Sequence, residues 1–342
     1  MKLRIVNQLE IDKWRDFVDH HPKGNIFHTP EMFDVYFKTR GYNPSLWAVK
    51  NDEGEILALH VPVHITLMGG VFNYFTTRNV NFGSVLVRND IVGKEALSLL
   101  LETYNRSISI SPLYTELRNL YDLSDYQDIF QNHGYQYESH LNYFVDLDRD
   151  HYDILQSYSR SARRDIRSTM RKGNVIVKEI VEPEMLPLFY ELIKRTYSHA
   201  RIPLADFSLF QAAFKILGPK KMVRFTIAFV NGTPASAAVS LLYKDVVYGW
   251  YNGVDRSFRS DYPNEMILWN AMRWGSENGF KIFDFGGAGK PEEDSSVRDF
   301  KLKFRGDLIE FGRNVCVHAP FRLNLAKRIY SLTRKTTLLE QI

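Results

Sequence analysis

The chain has 342 residues, of which 44% are hydrophobic and 25% charged. This length exceeds what one hydrophobic core usually serves, and the composition is ordinary for a soluble globular protein, so we expect two domains. No apolar run approaches the roughly 20 residues that span a bilayer, and Met1–Asn7 alternates like a strand rather than a signal peptide, which predicts a cytoplasmic protein. The single cysteine, Cys316, excludes an internal disulfide and a cysteine-based zinc cage.

The net charge of +4 is divided unevenly along the chain. Residues 1–148 carry 13 Lys and Arg against 19 Asp and Glu, a net charge of −6, whereas the remaining residues carry 31 against 21, or +10. A basic half joined to an acidic half indicates an anionic ligand on the second half, and phosphate groups are the commonest such partner.

The first half has the pattern of mixed α/β structure. In chain order it predicts strand Lys2–Val6, helices Asp12–His20 and Pro30–Arg40, a hairpin of Leu46–Lys50 and Glu55–Val63, strand Val71–Thr76, helix Lys94–Asn105, strand Leu113–Arg118 and helix Ser124–His133.

After the alternating strand Asn142–Asp148 the pattern begins again, and Asn231-Gly232 is a strong hairpin signal within it. The predicted elements are helix Tyr152–Arg171, strand Asn174–Glu179, helices Glu184–His199 and Asp206–Leu217, strands Met222–Val230, Ala235–Tyr243 and Val246–Asn252, helix Pro263–Asn278, strand Lys281–Phe285, helix Ser296–Phe304, strand Asp307–His318 and a basic terminal helix. This order resembles a GNAT acyltransferase domain, and the first half gives a looser version. We therefore predict an α/β (α+β) protein of two tandem GNAT-like domains, 1–148 and 149–342, each a mixed sheet flanked by helices.

A basic helix, 152–172, opens the second predicted domain. Five of its arginines are spaced so that their guanidinium groups share one helix face: Arg160, Arg163, Arg164, Arg167 and Arg171. Like charges at i, i+4 repel, and only Asp165 compensates them. Two interpretations are therefore open: the arginines bind an external anion through bidentate guanidinium–phosphate contacts, or they form an ordinary solvated helix face. If an anion binds, the sequence allows three candidates: a nucleotide diphosphate, a tRNA backbone and an acidic membrane surface.

Four further stretches within 248–306 carry a family resemblance. They read Tyr248-Gly-Trp-Tyr-Asn-Gly253, Tyr262-Pro-Asn-Glu-Met-Ile-Leu-Trp-Asn-Ala-Met-Arg-Trp274, Phe280-Lys-Ile-Phe-Asp-Phe-Gly-Gly287 and Phe300-Lys-Leu-Lys-Phe-Arg-Gly306. In this order and spacing they resemble the Fem-type (FemABX-like) peptidyltransferases of the GNAT-like acyltransferase superfamily. The resemblance is specific over 157–306. It implies transfer of an amino acid from aminoacyl-tRNA to an amino group of a peptidoglycan precursor.

The Phe-Lys pair of that family falls on Phe300-Lys301, so the resemblance implies that Lys301 holds a substrate phosphate or the developing oxyanion. Lys303 and Arg305 cluster beside it and suit an anion site, although an exposed basic helix end has the same appearance. Asp284, at the end of a strand before two glycines, is placed to orient or deprotonate an amine or, equally, to cap the glycine loop. The end of the preceding strand offers three further substrate-binding candidates, although core packing explains most such residues: Tyr248, Tyr251 and Asn252.

The expected donor is an activated co-substrate rather than a permanently bound cofactor. CoA-dependent GNAT enzymes cradle a pyrophosphate on the amides of a glycine-rich turn at a helix start. Here that start reads Arg259-Ser-Asp-Tyr-Pro-Asn-Glu265: it lacks glycine, Pro263 has no amide hydrogen, and Glu265 repels phosphate. Aminoacyl-tRNA is therefore favoured over acyl-CoA.

Three apparent motifs carry little weight. Gly286-Gly-Ala-Gly-Lys-Pro291 lacks the first glycine and the Ser/Thr of a P-loop. His60 and His64 lie four apart on a predicted strand, hence on one face, but without a third ligand they predict no metal site. Basic residues of the tail are suited to peripheral contact with an anionic membrane, yet a solvated helix is the simpler interpretation.

The leading hypothesis is an aminoacyl- or acyltransferase that acts on an amino group of a phosphate-bearing cell-envelope precursor, peptidoglycan or polysaccharide, by direct attack on the donor. Two alternatives stay open: a CoA-dependent N-acyltransferase of a sugar or lipid, and a non-catalytic module that binds nucleic acid or another polyanion.

Overall fold

In the computed structural model, residues 2–66, 73–108 and 112–328 are described. The chain forms two compact units. Unit 1 comprises Met1–Glu138 with Gly312–Ile342, and unit 2 comprises Ser139–Phe311. This division departs from the predicted domains at both ends of unit 2. The strand that follows residue 140 pairs inside unit 2, and the strand that follows Gly312 pairs inside unit 1.

Unit 1 has ten described strands, numbered here in chain order. They are β1 (Arg4–Val6), β2 (Tyr42–Pro44), β3 (Trp47–Lys50), β4 (Ile56–His60), β5 (Val63–Ile65), β6 (Arg78–Asn81), β7 (Val85–Val87), β8 (Tyr114–Arg118), β9 (Gln136–Glu138) and β17 (Arg313–Val317). One sheet has the order β1-β3-β4-β7, and the other has the order β2-β5-β6-β8-β17-β9. The helices are α1 (Ile11–His20), α2 (Pro30–Phe37), α3 (Asn73–Thr76), α4 (Ile91–Ser107) and α5 (Gln127–Asn132).

Two predictions for unit 1 were wrong. The described end of the expected strand 71–76 is helical, as α3. His60 and His64 do not share a strand, because the chain crosses from β4 to β5 between them and so passes from one sheet to the other. The two imidazoles therefore lack the common face that the strand spacing predicted.

Unit 2 is built on one seven-stranded sheet in the order β11-β12-β13-β14-β15-β10-β16. Its strands are β10 (Leu141–Asp146), β11 (Val175–Glu179), β12 (Val223–Val230), β13 (Thr233–Tyr243), β14 (Val246–Val254), β15 (Ile282–Gly287) and β16 (Asp307–Glu310). The predicted three-stranded meander is present as β12-β13-β14, and its first turn has positive φ at both Asn231 and Gly232.

The helices of unit 2 follow the predicted order, with one break. They are α6 (His151–Ser157), α7 (Arg160–Lys172), α8 (Leu186–Ala200), α9 (Phe207–Leu217), α10 (Pro263–Glu277) and α11 (Ser296–Leu302). The single helix expected over 152–171 is two helices, because Ser159 is extended and its side chain accepts a hydrogen bond from the Ala162 amide as the N-cap of α7. Gly173 ends α7 in the left-handed conformation, which glycine adopts without strain. None of the described helices of the chain has the length and apolar content needed to cross a membrane.

Candidate active site

The centre of the sheet in unit 2 opens between two parallel strands. β14 and β15 pair only over Val246–Tyr248 and Ile282–Asp284, although β14 runs on to residue 254 against β13, with an irregularity in register at Val239 and Ser240. Tyr248 and Asp284 are the last pair before the two strands separate. Separated strands leave backbone donors and acceptors in the sheet without ladder partners, which suits a site where a polar group must be bound.

A glycine permits the close approach of side chains at this opening. Gly286 has φ of +70°, and a Cβ there would lie 3.2 Å from the hydroxyl oxygen of Tyr248. A side chain at this position would therefore be strained in its backbone and crowded against the tyrosine. Tyr248, a predicted substrate-binding residue, is thus at the mouth of the opening beside the end of β15.

Asp284 is a buried carboxylate at the same point, 3% exposed. Its Oδ1 accepts a hydrogen bond of 2.6 Å from the Gly286 amide, so the side chain does cap the glycine turn. Burial raises the pKa of Asp284 to about 7, although the Gly286 hydrogen bond and the nearby Lys301 both lower it. A carboxylate with this pKa exchanges a proton readily at neutral pH, so the capping role does not exclude an acid–base role.

Lys301 is 8% exposed and reaches from α11 to the end of β15. Its Nζ donates to the carbonyl oxygens of Phe285 and Gly287, both at 2.8 Å, and lies 3.4 Å from that of Gly286. Burial lowers the pKa of Lys301 to about 8, against the opposing effect of Asp284. Because the ammonium group has three N–H donors and all three are directed at backbone carbonyls, Lys301 holds the turn after Asp284 in place.

A large pocket lies at the start of α10 and includes residues of α11, the helix that carries Lys301, and we call it the α10 pocket. Its volume is about 1120 Å³. Its lining comes from Val254 at the end of β14, from the 3₁₀ segment Arg256–Asp261, from the first turn of α10 and from one face of α11. The residues that line it are Val254, Arg256, Ser257, Arg259, Ser260, Tyr262, Pro263, Asn264, Glu265, Ser296, Asp299, Phe300 and Lys303.

Two predicted residues, Phe300 and Lys303, share the α10 pocket. The ammonium nitrogen of Lys303 lies 5.2 Å from the centre of the Phe300 ring and 3.8 Å from Oε1 of Glu265. Burial raises the pKa of Glu265, while its own backbone amide and Lys303 lower it. Pro263 is at the first position of α10 and supplies no amide hydrogen, so the helix start differs from a phosphate-binding glycine turn in the way that the sequence indicated.

Part of the predicted arginine face lines a second pocket, which has a volume of about 790 Å³. We call it the arginine pocket, and its lining comes from α6, α7 and α10: His151, Tyr152, Leu155, Arg164, Arg167, Met170, Arg171, Trp269 and Arg273. Arg160 lines neither of these two pockets, and Nη1 of Arg163 donates to the carbonyl oxygen of Gln156 at 2.6 Å instead. The predicted face is therefore divided among different surroundings.

The remaining predicted residues lie outside both pockets. The ring of Tyr251 packs against Phe210 and Tyr197 of the helices α9 and α8, with centroid distances of 4.9 and 5.7 Å. Asn252 donates to the Ala237 carbonyl oxygen across the sheet. Arg305 is exposed in the turn after α11. These positions give Tyr251 and Asn252 structural contacts, whatever else they do.

Sequence reasoning overlooked the basic side chains that complete each pocket. Arg256 and Arg259 precede α10, and Arg273 lies near its C-terminus. The sequence contains one signal for them, since arginines that flank a helix start beside aromatic residues favour an anion site, but only the packing of α10 against α6 and α7 brings Arg273 to the α7 arginines. Within the described ranges, no group of three or more His, Cys, Asp or Glu is arranged to hold a metal ion.

Comparison with known proteins identifies the fold. Residues 156–301, which lie inside unit 2, match the family described as the Acetyltransferase (GNAT) domain. The chain is similar to the crystal structure of FemX, with 16% sequence identity and a TM-score of 0.70 over 97% of this chain and 99% of that one. No curated protein matches the sequence.

Two other solved structures share the architecture. A tandem GNAT protein from the clavulanic acid biosynthesis pathway is 12% identical, with a TM-score of 0.59 over 93% of this chain and 99% of that one. The C-terminal domain of a putative lysylphosphatidylglycerol synthetase from Agrobacterium fabrum is 11% identical, with a TM-score of 0.55 over 92% and 93%. The predicted fold of two GNAT-like domains is confirmed.

Proposed function

We propose that this chain, whose residues 156–301 match the Acetyltransferase (GNAT) domain family and whose fold is similar to that of FemX, is an acyltransferase that transfers an aminoacyl or acyl group to an amino group of a phosphate-bearing cell-envelope precursor in the cytoplasm. The observation that carries the proposal is the opening between β14 and β15, where Asp284 has a pKa of about 7. Such a carboxylate, buried at the point where two strands separate, suits proton transfer during acyl transfer.

The proposed reaction needs no covalent intermediate on the protein. The neutral amine nitrogen of the acceptor attacks the carbonyl carbon of the donor ester, the new C–N bond forms, and the C–O bond to the donor breaks. Asp284 takes the proton that the amine loses and returns a proton to the departing hydroxyl group. Lys301 is a positioning residue in this scheme, since it holds the carbonyl groups of 285–287 and favours the ionised form of Asp284.

The α10 pocket is the proposed phosphate site. Arg256, Arg259 and Lys303 supply positive charge in it, and guanidinium groups bind phosphate oxygens well. The start of α10 argues against a pyrophosphate bound on backbone amides, as in CoA-dependent GNAT enzymes, because Pro263 removes an amide and Glu265 is a carboxylate there. A phosphate in this pocket would be held by the basic side chains instead, which favours aminoacyl-tRNA over acyl-CoA. The similarity to FemX and to a putative lysylphosphatidylglycerol synthetase supports an aminoacyl group and an envelope acceptor.

A thermal-shift comparison with CoA, acyl-CoA, a UDP-linked envelope precursor and charged tRNA distinguishes the donors, since a ligand stabilises the folded state that binds it. We expect stabilisation by charged tRNA and by the precursor. Stabilisation by CoA would instead favour a CoA-dependent N-acyltransferase, and salt-sensitive RNA binding without transfer would favour a binding module.

Transfer from the donor that binds then tests the site itself. Asp284→Asn should lower kcat by at least 100-fold, because it removes the proton acceptor. The matched control is Asp307→Asn, which changes an exposed carboxylate of β16 and should leave kcat unaltered. Equal turnover by the two variants would show that the reaction occurs elsewhere.

A further inference from the structure

The arginine pocket has a chemistry that the proposed transfer does not use. Four guanidinium groups line it, three from α7 and Arg273 from α10. Arg164 pairs with Asp165 at 2.9 Å, and Arg273 pairs with Glu277 at 2.8 Å. In the part of the chain that the structure describes, Arg167 and Arg171 have no carboxylate within ion-pair distance. The pocket therefore has an excess of positive charge that an anion would neutralise.

The floor of the same pocket is apolar. Leu155 and Trp269 both line it and are buried, and Trp269 is 4% exposed. Two large apolar side chains stand at the rim and are open to solvent: Tyr152 is 59% exposed and Met170 is 48% exposed. Apolar and aromatic groups beside basic ones are typical of a surface that meets the boundary between lipid headgroups and acyl chains.

We propose that the arginine pocket binds the phosphate headgroup of an anionic lipid and docks unit 2 on a lipid surface. Arg167 and Arg171 contact the phosphate, and Tyr152 and Met170 enter the interface beside it. The exposed apolar rim favours a lipid over an RNA backbone. Of Tyr152 and Trp269, only Tyr152 has an exposed ring on which a base could stack, whereas Tyr152 and Met170, which has no ring, together suit a lipid interface. The inference does not depend on the proposed transfer, since docking is measurable without turnover.

The test is binding of the whole chain to vesicles, measured by flotation. Vesicles of phosphatidylglycerol mixed with phosphatidylcholine should bind the chain, and vesicles of phosphatidylcholine alone should not. Arg167→Ala with Arg171→Ala should weaken binding by roughly 30-fold, because each basic residue near an anionic surface contributes about a fivefold factor. Tyr152→Ser with Met170→Ser should weaken it by roughly tenfold.

A matched control removes the same charge elsewhere. Lys172 lies on α7 about 100° around the helix from Arg171, and Lys178 is exposed on β11. Lys172→Ala with Lys178→Ala should leave vesicle binding within twofold of the parent chain. An equal loss of vesicle binding in both double variants would mean that only net charge matters, and would overturn the assignment of lipid binding to the arginine pocket.

Two competitors identify the source of the phosphate. Glycerol 3-phosphate at millimolar concentration should not displace the chain from vesicles, because it lacks the apolar part. Displacement by glycerol 3-phosphate would assign the pocket to a soluble phosphate ester and overturn the lipid assignment. The lipid assignment would also be overturned if the chain bound RNA but not vesicles, and if Arg167→Ala with Arg171→Ala weakened that RNA binding.

Discussion

Units 1 and 2 both bury ionisable side chains, but they leave them in different states. In unit 1, burial and the nearby His28 lower the pKa of His60 to about 3, so its imidazole is neutral at neutral pH. Burial alone would raise the pKa of Glu116, yet Arg118 and Arg313 outweigh it and lower the pKa to about 2. In unit 2, Asp284 and Lys301 have pKa values of about 7 and about 8.

The difference teaches where proton transfer is feasible. His60 and Glu116 keep one protonation state across the neutral range, which suits structural roles in the sheets of unit 1. Asp284 and Lys301 both change protonation close to neutral pH, and they do so where β14 and β15 separate. A group that takes and returns a proton must titrate near the working pH, so the comparison favours unit 2 as the place of the chemistry.

The largest expected effect on stability comes from removing the buried ammonium group of Lys301 in unit 2. Lys301→Met leaves the carbonyl groups of Phe285 and Gly287 without their donor and leaves Asp284 without a nearby positive charge. We expect the free energy of unfolding to fall by about 3 to 5 kcal/mol, measured by urea denaturation, because buried carbonyl oxygens are left without a hydrogen-bond donor. The control Lys281→Met alters a lysine whose side chain is 56% exposed and should change it by less than about 1 kcal/mol. Similar losses in both variants would contradict a structural role for Lys301.

The next effect is a pH dependence due to Asp284. Its pKa in the folded chain is about 7, above the ordinary 3.8, so between these values the folded state binds the proton more tightly than the unfolded state. Stability should therefore fall as pH rises through this window, by about 4 kcal/mol. In Asp284→Asn this slope should disappear, which urea denaturation at several pH values measures. An unchanged slope would mean that another group titrates in the window.

The fold was largely predictable because its signals are local. The Asn231-Gly232 turn and the three strands that it begins to connect, β12, β13 and β14, each depend on neighbouring residues, and the predicted hairpin and strands are present. The division into units was less accessible. The return of β17 to unit 1 is a pairing between residues about 200 positions apart, Arg313 with Arg118, and no local pattern encodes it.

The site was predictable in its residues more than in their contacts. Asp284 and Lys301 were singled out, and the structure brings them together, but the carbonyl partners of Lys301 depend on the turn that follows β15. The arginine face was predicted as one surface, yet Arg163 turns to a backbone carbonyl and Arg273 joins from another helix. Helical spacing fixes which side chains share a face but not which neighbouring helix covers them.

A smaller effect is expected in unit 1. Glu116 has a folded-state pKa of about 2 against an ordinary 4.5, so it stabilises the fold above the ordinary value and loses that contribution as pH falls toward 2. Glu116→Gln should lower the free energy of unfolding by about 2 to 3 kcal/mol at neutral pH and flatten the acid limb of the stability curve. Glu55→Gln, at an exposed ion pair with Arg88, should do neither. If the acid limb survives in Glu116→Gln, the contrast between the units does not depend on this carboxylate.

The smallest expected change in stability is that of Lys303, which directly follows α11, and it contrasts with the large change expected at Lys301 within that helix. Lys303 is 40% exposed at its side chain and meets Glu265 only at 3.8 Å, so Lys303→Ala should alter the free energy of unfolding by less than about 1 kcal/mol. Lys303 nevertheless lines the α10 pocket, and its loss should raise the KM for the phosphate-bearing substrate while kcat holds, because uniform binding energy is removed. Lys301→Met should instead lower stability first and kcat with it. A Lys303→Ala variant that lost stability but kept its KM would reverse the assignment, making Lys303 the structural lysine and leaving the α10 pocket without its proposed role.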